Sequence, residues 1–197
     1  MKHTKEMTIG LVSVAAASVG ANAALAQDWS GPYAGAGVGF ASGIFPHYQY
    51  DDRDYVMNGV VAAAFAGYNW ETSSGMVFGA EISAQLNHNN GDGDEESSYP
   101  EDYTITSLID AKIKAGKGFG NVLAYGFAGV SSATGTAYEG GEYSYIFSGF
   151  NYGVGAEMMM SDKLSVGVEH VMRSLYHPYD ENMFNSATTQ LRVAFRF

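Results

Sequence analysis

TTQLRVAFRF, Thr188 to Phe197, decides how this chain is read. Thr189, Leu191, Val193, Phe195 and Phe197 share one parity. Gln190, Arg192, Ala194 and Arg196 share the other. Period-two alternation marks a strand with two unlike faces. The apolar parity runs on to a terminal Phe directly after an Arg and another Phe. In water such an end frays. At a membrane interface an aromatic is an anchor.

The same period recurs upstream seven times. Tyr33–Phe40 sets Ala34, Ala36, Val38 and Phe40 against Gly35, Gly37 and Gly39. Val60–Trp70 follows, then Met76–Leu86, where Phe78, Ala80, Ile82, Ala84 and Leu86 oppose Gly79, Glu81, Ser83 and Gln85. Tyr103–Gly116 sets Ile109, Ile113 and Ala115 against Asp110, Lys112 and Lys114. Val122–Ser132 carries Leu123, Tyr125 and Phe127 on one side. Ile146–Met158 opposes Phe150, Tyr152, Val154, Ala156 and Met158 to Asn151, Gly153, Gly155 and Glu157, and Leu164–Arg173 opposes Val166 and Val168 to Glu169 and Arg173. Eight strands are thus expected. Short connections (71–75, 117–121, 160–163) alternate with long ones (about 41–59, 87–102, 133–145, 174–187). An even strand count with this alternation predicts an all-β fold: an eight-stranded antiparallel up-and-down transmembrane β-barrel, with short periplasmic turns and long outer loops.

Residues 1–26 do not fit that pattern. Lys2 and Lys5 precede the apolar run Thr8–Gly20, which is shorter than the about 20 residues a spanning helix needs. Ala24-Leu25-Ala26 is a small-x-small cleavage site, so 1–26 reads as a secretory signal peptide and 27–197 as the barrel domain, with Ala21-Asn22-Ala23 a second possible site. Without Lys2, Lys5 and Glu6 the remainder holds 8 basic and 20 acidic residues, a net charge of −12. That balance argues against nucleic acid and against attachment to anionic lipid surfaces. Cys is absent, so stability rests on a closed sheet rather than disulfides.

Solvation assigns the faces. A spanning strand must satisfy its backbone through its neighbours, so the sheet closes. The apolar face then meets lipid, and the polar or glycine face meets the lumen. Glu81, Asp110, Lys112, Lys114, Glu157, Glu169, Arg173, Arg192 and Arg196 form the expected lumen charge network. Their signs nearly cancel, and an eight-strand lumen is narrow enough for side chains to fill, so they are read as paired. Aromatics fall into two expected belts. Tyr33, Tyr68, Trp70, Phe119, Phe195 and Phe197 belong to the turn end, and Phe40, Tyr103, Tyr145, Phe147 and Tyr176 to the loop end. The alternative, a soluble exported β-sandwich, would bury the apolar face instead.

DWSGPYAGAGVGF (Asp28–Phe40), GYNWE (Gly67–Glu71), VFGAEIS (Val77–Ser83), GVGAEM (Gly153–Met158), DKLSVGVEH (Asp162–His170) and LRVAFRF (Leu191–Phe197) together resemble the small outer-membrane β-barrel proteins of Gram-negative bacteria, akin to the OmpA transmembrane barrel. The resemblance spans essentially all of 27–197. It implies outer-membrane location, contact with outer-membrane lipid and lipopolysaccharide, and insertion by the β-barrel assembly machinery. For that machinery Phe197 would be the assembly signal. Asp110, Lys112 and Lys114 depart from the arginines that relatives often carry in the fourth strand.

The chemistry-bearing motifs are sparse. His47, Tyr48 and Tyr50 are candidate haem or host-ligand residues, since His or Tyr can ligate haem iron. A loop with interfacial aromatics is the plainer reading. Asp92, Asp94 and Glu101, with Asn90, stand at calcium-loop spacings, but Glu95 takes the place of the required Gly. A solvated acidic tip is the plainer reading. His47, His88, His170 and His177 show no triad spacing, so no enzyme and no cofactor are expected. The expected function is structural, with an acidic surface that includes possible host or small-ligand contacts at the loops. A narrow pore is the alternative.

Overall fold

A computed structural model describes residues 28–45, 55–91, 103–138, 142–176 and 183–197, and every regular element within them is a strand. The strands are β1 (Gly31–Phe45), β2 (Tyr55–Glu71), β3 (Met76–Gly91), β4 (Tyr103–Phe119), β5 (Val122–Tyr138), β6 (Glu142–Met159), β7 (Leu164–Tyr176) and β8 (Met183–Arg196). Each pairs antiparallel with the next, and β8 returns to β1 through Tyr33↔Arg196 to Ile44↔Asn185. The closure is sealed at the turn end by the Phe197 N–H, which donates to the Pro32 carbonyl at 3.2 Å. A closed ladder leaves no unpaired edge, which is the condition for spanning hydrocarbon.

The turns on one end are tight. Gly75 (φ 78°) closes the β2–β3 turn, its N–H donating to the Thr72 carbonyl at 2.9 Å, and Gly120 (φ 64°) closes β4–β5. Both positions need the left-handed region that glycine enters without a Cβ penalty.

The exterior is apolar. Val60, Trp70, Ile82, Leu86, Ile113, Phe150, Val154 and Leu191 are all more than half exposed, while Glu81, Asp110, Lys112, Lys114, Glu157, Glu169, Arg173, Arg192 and Arg196 are buried. This inversion excludes the sandwich, whose apolar rows would face each other. The outward apolar bands of β2 (Val60–Trp70) and β6 (Phe150–Met158) match the about 9–11 residues a tilted strand needs to cross a bilayer.

Three expectations need correction. The strands extend beyond the membrane band into segments read as long loops: β5 and β6 leave only 139–141 between them, where a loop of 133–145 was expected. There the outward positions, such as Ser132, Ser144 and Asn185, are polar because they meet water, so the alternation fades while the ladder continues. Second, Leu123, Tyr125 and Phe127 face the lumen, not lipid. The inward face of the adjacent β6 is glycine there: a Cβ on Gly153 would strike the Phe127 ring, and one on Gly155 the Tyr125 ring. Bulk on one strand fills the space that the next leaves. Third, Tyr33 and Phe147 point inward and are buried, and Tyr145 packs against the interior cluster around Phe147. Tyr68, Trp70, Phe119, Phe195, Phe197, Phe40 and Tyr176 are on the exterior.

Candidate functional site

Among the described residues, the lumen is where polar and charged side chains converge. Inward parity on every strand delivers a side chain to it, and the missing Cβ atoms of Gly35, Gly43 and Gly67 leave room for the rings of Phe65, Phe184 and Tyr33. The filling has three layers. At the loop end Ile105, Leu108, Ala133, Phe147, Leu175 and Phe184 form an apolar seal. At the turn end Trp29, Val77, Leu123 and Met159 belong to a second cluster that continues through Tyr125 and Phe127 to Val171.

Between the seals sits a polar layer in which Glu81 and Glu169 share cations. Arg192 Nη1 donates to Glu81 Oε1 at 3.0 Å and to Glu169 Oε2 at 2.5 Å, and its Nη2 donates to Glu81 Oε2 at 2.5 Å. Lys112 Nζ reaches Glu169 at 2.7 Å and Glu81 at 3.4 Å, and Lys114 Nζ reaches Glu81 at 3.2 Å. The Tyr33 and Tyr125 hydroxyls donate to Glu81 at 2.9 Å and Glu169 at 3.0 Å, and Gln190 adds a bond to Glu169 at 3.0 Å. The cations also lie over rings: Arg192 is 3.7 Å from the Phe65 centroid and Lys112 is 4.8 Å from that of Phe127. Such density of partners is what lets buried charges persist.

A second group surrounds Asp110. Arg173 grips it with Nε at 3.0 Å and Nη2 at 2.7 Å, a two-pronged geometry. Ser131 Oγ donates at 2.6 Å and Asn151 Nδ2 at 3.4 Å. Arg173 also donates to Thr188 Oγ1 at 2.8 Å.

All nine charged residues read as lumenal from the sequence are buried. Seven join the two networks. Glu157 and Arg196 make no ion pair: Glu157 accepts from Ser165 Oγ at 3.3 Å, and Arg196 Nη1 donates to the Trp29 carbonyl at 2.8 Å. The reading of strand faces missed Tyr33 and Trp29. Tyr33 shares parity with Gly35, Gly37 and Gly39, and that parity was the available signal for an inward position. Trp29 precedes the first strand, where periodicity carries no information.

His47, Tyr48 and Tyr50 lie outside the described residues, as do Asp92, Asp94, Glu101 and His177. His170 is placed on the outer face, its Nδ1 2.8 Å from Thr189 Oγ1. Among the described residues no group of three or more His, Cys, Asp or Glu is arranged to hold a metal ion. Phe197 is 76% exposed on the exterior, edge-on to Phe195 at 5.4 Å.

Residues 9–197 match the outer membrane protein beta-barrel domain family. A 31 kDa outer-membrane immunogenic protein of Brucella melitensis is 35% identical over 69 residues, covering 29% of this chain and 29% of that protein. Its counterpart in Brucella suis gives the same figures. The match therefore spans less than a third of those relatives. Among solved structures, Neisserial surface protein A aligns with a TM-score of 0.56 and 15% identity, covering 85% of this chain and 98% of that one. The attachment invasion locus protein Ail of Yersinia pestis aligns with a TM-score of 0.51 and 14% identity, covering 85% and 99%. At these identities the likeness is one of fold.

Proposed function

This chain belongs to the outer membrane protein beta-barrel domain family and resides in the outer membrane of a Gram-negative bacterium, and from that premise we propose that it is a structural surface protein: a plugged barrel that reinforces the membrane and carries an acidic coat outside. The observation that carries this reading is the filled lumen. Apolar side chains close both ends, and the charges between are 0–5% exposed and held mostly by one another. An ion entering would have to break several charge-assisted bonds at once and leave buried carboxylates unpaired. That cost supports a plugged barrel over the narrow-pore alternative. The network is structural rather than catalytic in this reading: its carboxylates are engaged with cations, and His170 faces hydrocarbon beside Thr189.

Most of the acid outside the lumen stands in or beside the loop-end connections, including Asp51, Asp52, Asp54, Asp92, Asp94, Glu95, Glu96, Glu101 and Asp102. Such a field repels anionic neighbours and favours cationic partners or bridging divalent ions. The word immunogenic in the name of the Brucella relatives supports a surface role. Residues 1–26 act in this account as the export signal, and Phe197 as the element that the assembly machinery reads. Lipopolysaccharide is the expected neighbour of the apolar exterior.

Planar-bilayer recording of the refolded protein tests the reading. A membrane with no discrete openings is expected; steady single-channel steps would replace the structural role with a pore.

A further inference from the structure

The turn end of the lumen holds four side chains with polar atoms that find no partner. Glu157 Oε1, Arg196 Nε and Nη2, both amide atoms of Asn69 and the Trp29 indole N–H make no hydrogen bond. Their residues are 3%, 5%, 1% and 0% exposed, respectively. A buried donor or acceptor left unmade costs its full desolvation, so four such residues in a dry layer would be expensive.

Three further unpartnered atoms, Asn151 Oδ1, Gln190 Oε1 and Arg192 Nε, lie elsewhere in the lumen; these four residues share the turn end. Asn69 stands two residues before the end of β2, Glu157 two before the end of β6, and Arg196 is the last residue of β8. Arg196 lies 4.7 Å from the Trp29 ring and 5.6 Å from the Tyr33 ring. Register brings Glu157 toward it: Glu157 accepts from Ser165, and Ser165 pairs with Ala194, the inward residue of β8 just before Arg196. Yet no ion pair joins the two. Opposite charges that attract but stand apart, each with free hydrogen-bonding atoms, leave a gap suited to a group that both donates and accepts. With a carboxylate on one side and a guanidinium on the other, a bare ion of either sign would meet a like charge there. Water fits, since a buried water makes about 2–4 hydrogen bonds to polar groups of this kind.

Trp29 closes this layer in an unusual way. It precedes β1 and contributes nothing to the ladder. Two contacts fix its backbone: its N–H donates to Glu71 Oε2 at 2.7 Å, and its carbonyl accepts from Arg196 Nη1 at 2.8 Å. Its indole lies against Gly118, where an added Cβ would come within 3.2 Å of the ring. The loop-end seal is built from strand residues. Trp29 stands outside the ladder, so its backbone and ring can move together without breaking a strand pair.

We propose that the layer between Glu157, Asn69 and Arg196 is a closed hydration site, holding ordered waters that bridge Glu157 to Arg196, and that Trp29 is the latch that shuts it from the periplasm.

The chain has no cysteine, so one introduced thiol reports cleanly. Ser165 is 1% exposed and bonded to Glu157. Ser165→Cys, refolded in micelles, is treated with a small charged methanethiosulfonate. Labelling should be slow with Trp29 intact and at least tenfold faster with Trp29→Gly. Val171→Cys, deeper in the lumen, should stay unlabelled in both backgrounds. Equal rates at position 165 with and without Trp29, whether fast or slow, would overturn the latch. Heat-modifiable migration verifies each barrel, and Asn69→Cys serves if the first variant does not fold. The waters are read separately by diffraction. Density within hydrogen-bond distance of both Glu157 Oε1 and Arg196 Nε is expected. A direct Glu157–Arg196 pair, or an empty gap, would overturn the site.

Discussion

Arg192→Met removes the guanidinium that holds Glu81 and Glu169 together while keeping much of its apolar stem. Three charge-assisted bonds disappear, two to Glu81 and one to Glu169. At about 1.5–3 kcal/mol each their simple sum is about 5–9 kcal/mol. The stacking of Arg192 on Phe65 at 3.7 Å is lost as well. Two effects reduce that total. Lys112 and Lys114 remain beside the carboxylates. The lumen's four acids and five bases become four and four, so no net charge is created. The expected loss is therefore in the range found when one partner of a buried pair is removed, about 3–5 kcal/mol. Urea unfolding in lipid vesicles measures it, followed by the fluorescence of Trp29, which is buried, and Trp70, which faces lipid. Adding Glu81→Gln to Arg192→Met should cost less than the sum of the two single variants, because both remove the same Arg192–Glu81 bonds. A single variant within 1 kcal/mol of the parent, or a double variant worse than the sum of its parts, would refute the claim that this network is held by mutual neutralisation.

Other positions probe the remaining layers. Val193→Arg puts a cation at the middle of the lipid-facing β8 band, and its unfolding free energy should fall by about 2–4 kcal/mol. Leu175→Ala hollows the loop-end seal at a residue with no exposed surface, with a cost of about 2–5 kcal/mol in the same urea titration. Gly129→Ala forces a methyl against the Ala111 carbonyl oxygen and within 2.9 Å of Asn151 Oδ1. Loss of about 1–3 kcal/mol and a weakened Asp110 group are expected, seen as a lower temperature for the folded-to-unfolded gel shift.

Much of this architecture was legible in the sequence because solvation by lipid writes one rule on every residue of a spanning strand. From Thr188 to Phe197 that rule is complete: each alternate residue is lipid-compatible or lumenal, and the structure places Leu191 outside and Arg192 inside. The rule fails where its physical premise fails. Above the membrane, water bathes the exterior, so Ser132 and Ser144 look like loop residues although they continue the ladder. In β5 both faces are apolar, and hydrophobicity cannot say that Tyr125 and Phe127 turn inward. That choice is made by the glycines of β6, a relation between strands rather than within one. Pairing inside the lumen is likewise a matter of register: Glu81 meets Arg192 across 111 positions of sequence. Trp29 was beyond reach because a residue outside the strands carries no parity.

The central claim is that alternate residues of these strands touch hydrocarbon while their neighbours line a sealed interior. Single spin labels at positions 189 to 196 in bilayers, scanned for collision with oxygen and with a water-soluble nickel chelate, measure this directly. Oxygen collisions should peak at 189, 191, 193 and 195 and collapse at 190, 192, 194 and 196, with low nickel contact throughout. A flat profile, or strong nickel contact at the odd positions, would place these residues in water and contradict the account.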